Sequence, residues 1–122
     1  MDARVTAIVG AGARTAFGIA LLAAPKPIAE RWIGPRGKEM PAATLARSVG
    51  VRDLALGGGG VLALVRRDSS ASTWLAAAAL CDVGDAVATL LARDSLPAKN
   101  VRNTLMLAVG SAILTSFEAA RA

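Results

Sequence analysis

The chain has no histidine, no tyrosine and only one cysteine, and its aromatic share is 3%. Without histidine, ordinary imidazole acid–base catalysis, haem ligation through His and most zinc sites are excluded. The lone Cys81 leaves no internal disulfide and no multi-cysteine metal site, and its place inside an apolar segment reads as packing. So few large rings disfavour a soluble core built on aromatics. Charge is scarce as well: charged residues make up 19% against 54% hydrophobic, below the roughly 25% charged content usual for soluble domains. This balance, with a mean hydropathy of +0.50, points to lipid as the solvent.

What is abundant is Ala, Leu, Val and Gly, small or aliphatic residues that let helix backbones approach one another. The 122 residues suffice for one domain. The net charge of +5 is spread over loops and segment ends, with no basic run longer than Arg66-Arg67. Basic loops beside a membrane account for it, and nucleic acid is not an expected partner.

Four long apolar segments follow one another. The first, 5–24, carries one charge, Arg14, and is long enough to cross a hydrocarbon layer of about 30 Å before Pro25 and Pro27 stop it. Because Arg14 interrupts it and no compact basic start precedes it, it is expected to stay in the mature protein rather than act as a signal peptide. Gly10, Arg14 and Gly18 share one helical face. The linker 25–41 holds Trp32 among basic residues and reads as an interfacial anchor with a short turn of helix.

The second segment, 42–65, contains Arg47, Arg52 and Asp53, and Gly50, Asp53, Gly57 and Gly60 fall on one face. Its run Gly57-Gly58-Gly59-Gly60 lacks the preceding strand and following Lys-Ser or Lys-Thr of a phosphate-binding loop. After the polar turn 66–70, where Ser70 or Ser72 is the expected cap, the third segment, 71–92, places Asp82 and Asp85 on one face with Ala78 and Thr89. Asn100 is the expected cap of the fourth, 101–120, in which Thr104, Ser111 and Glu118 form a seven-residue polar stripe.

Depth is the strongest signal. If the first three segments span a bilayer, their midpoints fall near Arg14, Asp53 and Asp82, so three charges meet at one level. An isolated charge there costs from about 2.5 kcal/mol to well over 10, so partners are required. Arg14, Arg52, Asp53, Asp82 and Asp85 are the candidate ligand- or proton-binding residues, with Arg47 and Glu118 as secondary candidates. Two arginines against three aspartates leave a formal charge of minus one, which suits a paired network that shares a proton. Asp82 and Asp85 offer an acid and a base if their environments differ. Asp-x-x-Asp alone has too few carboxylates for a metal site, and no cofactor is expected.

At Ala46-Arg47-Ser48-Val49-Gly50-Val51-Arg52-Asp53-Leu54-Ala55-Leu56-Gly57, followed by Trp74 and Asp82-Val83-Gly84-Asp85, the chain resembles uncharacterised small four-helix integral membrane proteins of actinobacterial type. In size and layout it is similar to the DoxX-like membrane proteins. The resemblance implies a bacterial membrane protein and carries no activity with it.

The expected fold is all-α, an antiparallel four-helix transmembrane bundle forming one domain. Seven basic residues border the 25–41 and 93–102 connections and four lie at the other end, which places those connections in the cytoplasm. The functional expectation is a small multi-pass protein of the cell membrane whose Arg/Asp cluster binds a small molecule or proton, in transport or in a membrane-embedded reaction. The alternative is a non-catalytic accessory or oligomeric subunit, with the cluster as a structural clasp and a second copy or another membrane protein as partner. A third reading is a soluble four-helix binding module whose charges are solvated. No residue pattern is diagnostic of a reaction, so whether the chain is an enzyme stays open.

Overall fold

The computed structural model describes residues 2–122, and over them the protein is all-helical. Five α-helices run in the order α1 (Ala3–Ala23), α2 (Pro25–Ile33), α3 (Met40–Val65), α4 (Ala71–Leu91) and α5 (Ala98–Arg121), with short 3₁₀ turns at Pro35–Lys38 and Arg93–Ser95. All except α2 are long and apolar enough to cross a membrane.

The ends follow local chemistry. Asp2 caps α1 by accepting the Arg4 N–H at 2.9 Å, which starts the helix ahead of the expected residue 5. Pro25 occupies the first turn of α2, where its missing N–H breaks no bond, and Gly34 at φ 90° ends that helix. The expected single turn in the linker is therefore a nine-residue helix plus a 3₁₀ turn. Pro41 likewise fits the first turn of α3. At its other end Arg67 takes φ 54°, with Asp68 N–H on Ala63 O (2.8 Å) and Arg67 N–H on Leu64 O (3.3 Å), the paired bonds of a Schellman cap.

Two expected caps are corrected. Ser70 precedes α4 but makes no side-chain cap; its own N–H goes to the Asp68 carboxylate at 2.7 Å. Asn100 lies inside α5, which begins after Pro97, and its amide donates to the carbonyls of Glu30 (3.3 Å) and Arg31 (2.9 Å). It thereby ties α5 to the last turn of α2, where the Glu30 carbonyl also accepts the Gly34 N–H at 2.8 Å. Trp32 Nε1 donates to Thr89 Oγ1 at 3.1 Å, and Thr104 Oγ1 to Trp32 O at 3.5 Å. Through these bonds α2 closes one end of the assembly against α4 and α5.

The most extensive packing joins α1 to α3 and α4 to α5. Arg4 donates to Leu64 O and Val65 O, and Arg47 to Leu22 O at 3.3 Å, so each end of α1 lies beside the opposite end of α3. Small residues make this contact: a Cβ on Gly18 would lie 2.5 Å from Leu54 N, and one on Gly57 2.5 Å from Thr15 N. Gly50 similarly admits the Gly18 carbonyl. Backbones touch where side chains would intervene.

The apolar core is correspondingly light. One cluster joins Ala7, Ala11, Ala63, Leu64, Ala71 and Leu75; a second joins Leu21, Ala29 and Ala46. Large side chains point the other way: Leu80, Leu91 and Leu107 are 71%, 81% and 75% exposed. This arrangement inverts the soluble pattern, in which exposed leucines are scattered singly and bulky aliphatics fill the core.

Candidate functional site

Between the two apolar clusters lies a polar layer supplied by four helices. Arg14 comes from α1, Arg52 and Asp53 from α3, Asp82 and Asp85 from α4, and Ser111 from α5. Helical spacing explains the donors on each element: Asp82 and Asp85, three apart, project along one side of α4, and Arg14 sits four residues before Gly18 on the face that meets α3.

The five charges form an alternating chain. Arg14 holds Asp82 through two parallel bonds, Nη1 to Oδ1 at 3.0 Å and Nη2 to Oδ2. Its Nη1 also reaches Asp53 Oδ1 at 3.5 Å. Arg52 holds Asp85 the same way, at 2.9 and 2.8 Å, and gives two bonds of 3.3 Å to Asp53 Oδ1. The order is thus Asp82, Arg14, Asp53, Arg52, Asp85. The outer carboxylates are gripped in the planar fork-to-fork geometry that makes Arg–carboxylate pairs strong. Asp53, at the centre, offers a single oxygen to both guanidiniums.

Ser111 completes the layer. Its hydroxyl donates to Asp82 Oδ2 at 2.7 Å and accepts from Arg14 Nη2 at 3.2 Å. Burial is graded along the chain: the side chains of Asp53 and Asp82 are 4% and 8% exposed, Arg14 12%, Asp85 20% and Arg52 29%. The open end therefore lies at the α3/α4 seam.

All five primary candidates from the sequence come together; the two secondary ones do not join them. Arg47 sits at the far end of α1 on the Leu22 carbonyl. Glu118 lies against Gly10, where a Cβ would be 3.7 and 3.8 Å from its two carboxylate oxygens. Ser111 joins the five charges from outside the candidate set, on the face marked by the polar stripe through Thr104, Ser111 and Glu118. Thr89 is buried on α4 and accepts the Trp32 bond, in line with the polar face read for that helix. Cys81 is half-buried and stands beside the layer without bonding to it.

Among the described residues, no group of three or more His, Cys, Asp or Glu side chains is placed to hold a metal ion. Two clefts lie at opposite ends of the helices, and neither is lined by any of the five charges. Outside the long helices, the Ser70 N–H holds the Asp68 carboxyl below its ordinary range, and Glu30 raises the Lys38 ammonium through a 2.9 Å ion pair. Comparison with protein-family models, with curated proteins and with solved structures finds no match for the chain.

Proposed function

We propose that this chain is a multi-pass membrane protein, an antiparallel four-helix bundle across the bilayer, in which the Arg/Asp layer is a structural clasp. In this reading it serves as a non-catalytic accessory or oligomeric subunit. The observation that carries it is the closed pairing of the five charges: each guanidinium grips one carboxylate of α4 with two bonds and shares Asp53 with the other. Charges that satisfy one another leave little free donor or acceptor capacity for a ligand. They also set the rotation and depth of α1, α3 and α4 together, since a slip of any helix leaves a charge unpaired where that costs several kcal/mol. The apolar exterior and the small-residue interior support lipid as the surrounding solvent.

Membrane fractionation tests the location. A protein that remains in the pellet through a carbonate wash and leaves it only in detergent supports the reading; release by carbonate overturns it. A substitution pair tests the clasp. Asp82→Asn is expected to lower the yield of folded protein, and Arg14→Met with Asp82→Leu to recover it, because the pair is then replaced by apolar groups.

A second reading is favoured by one feature, the partial exposure of Arg52 and Asp85. There the pair is a gate through which a proton or small molecule reaches Asp53, and the net charge of minus one accommodates one proton. Binding or transport lost in Asp53→Asn, with folding intact, supports this over the clasp.

A further inference from the structure

The cleft at the end of the bundle where α1 and α4 begin and α3 and α5 end is chemically different from the central layer. Its volume is about 560 Å³, within the range of small-molecule sites of roughly 300–1,000 Å³. Arg4, Arg67, Asp68, Phe117, Glu118 and Arg121 line it, together with small aliphatic residues of α1, α3 and α4.

One buried unpaired oxygen and two exposed guanidiniums line it. Glu118 Oε1 is buried and has no hydrogen-bond partner. A carboxyl oxygen shielded from water and unpaired is costly, and a carboxylate accepts only, so what it lacks is a donor. In the same cleft, Arg67 and Arg121 have no ion-pair partner among the described residues. Guanidinium forks without a carboxylate are matched to phosphate oxygens. Asp68 also lines the cleft, with one carboxylate oxygen on the Ser70 N–H and no ion pair to either arginine. Arg4 is committed to the carbonyls of Leu64 and Val65 through Nε and Nη2, which braces the cleft wall.

We infer that this cleft binds a zwitterion carrying a primary ammonium a few bonds from a phosphate, the ammonium on Glu118 and the phosphate on Arg67 and Arg121. Phe117, 62% exposed beside Glu118, offers an apolar wall for a chain attached to the phosphate. Two sources share this chemistry: an ethanolamine phospholipid headgroup and a soluble aminophosphate. The lipid source rests on the membrane reading above, under which helix ends lie at headgroup depth; the soluble source does not.

The test is thermal unfolding of the purified full chain, followed by circular dichroism, with added phosphatidylethanolamine, phosphatidylcholine, phosphatidylglycerol or soluble O-phosphoethanolamine. The ethanolamine lipid is expected to bind at least about tenfold more tightly than the choline lipid, whose quaternary ammonium has no N–H to give, and than the glycerol lipid, which has no ammonium. Glu118→Gln is expected to keep the fold and remove this preference; Arg121→Gln is expected to weaken all three lipids alike. Stabilisation by O-phosphoethanolamine alone assigns the site to a soluble ligand and supports the zwitterion. Equal stabilisation by the three lipids, an ethanolamine preference that survives Glu118→Gln, or no effect of either ethanolamine compound overturns it. If carbonate releases the protein, the soluble compound still tests the cleft, so failure of the membrane reading and failure of this site are told apart.

Discussion

Arg14 on α1 and Asp82 on α4 are 68 positions apart in the chain and meet in a two-bond ion pair that Ser111 of α5 buttresses through both partners. Three helices are thereby tied at one level, and a fourth joins through Asp53. Removing Asp82 leaves Arg14 with only the 3.5 Å contact to Asp53, and removing Arg14 leaves Asp82 buried without a counter-charge.

That asymmetry sets the first expectation. Asp82→Asn should destabilise the folded protein by about 3–5 kcal/mol, whereas Arg14→Met with Asp82→Leu should lie much closer to the parent. Denaturant unfolding in detergent measures both. A double variant as unstable as the single one argues that the layer does more than pair charges.

The α1/α3 contact predicts a contrast between adjacent glycines. A Cβ at Gly57 meets Thr15 N and Oγ1 at 2.5 Å, while one at Gly58 meets nothing within 4 Å. Gly57→Ala should therefore cost about 1–3 kcal/mol by forcing the helices apart. Gly58→Ala should be neutral or stabilising by up to about 1 kcal/mol through helix propensity. Equal effects at the two positions would remove close packing as the role of Gly57.

Closure of the α2 end depends on an indole. Trp32→Phe keeps an aromatic ring, though a smaller one, and deletes the 3.1 Å bond to Thr89. A loss of about 1 kcal/mol is expected. Thr89→Val should cost less in the Trp32→Phe background than in the parent, where it removes the indole bond as well as its own bond to Asp85 O at 2.7 Å, and a double-mutant cycle measures that coupling.

The turn between α3 and α4 gives a pH dependence. The Asp68 carboxyl is held below its ordinary range first by the Ser70 backbone N–H and then by the Ser70 side chain. Its folded value is lower than its unfolded one, so its contribution to stability is complete above the ordinary carboxylate range and fades as pH falls below about 4. In Asp68→Asn the acid limb of the stability profile should be flatter. An unchanged limb would mean that the turn is not tied to this carboxylate.

Much of this architecture is written in residue spacing. The lengths of four apolar runs, the small-residue face of Gly50, Asp53, Gly57 and Gly60, and the mid-segment depth of Arg14, Asp53 and Asp82 are local properties of the chain. They suffice to say that charges meet at one level, because helical rise and periodicity convert sequence position into depth and face. Spacing does not say which helices are neighbours or how each is rotated about its axis. Packing decided that Arg14 grips Asp82 and only grazes Asp53, that Arg52 turns to Asp85, and that Ser111 closes the layer. It also moved Asn100 from the expected cap to the carbonyls of α2, and left Glu118 Oε1 without a partner near the C-terminal end of α5. Long flexible side chains reach several partners from one backbone position, so their choice belongs to the tertiary structure alone.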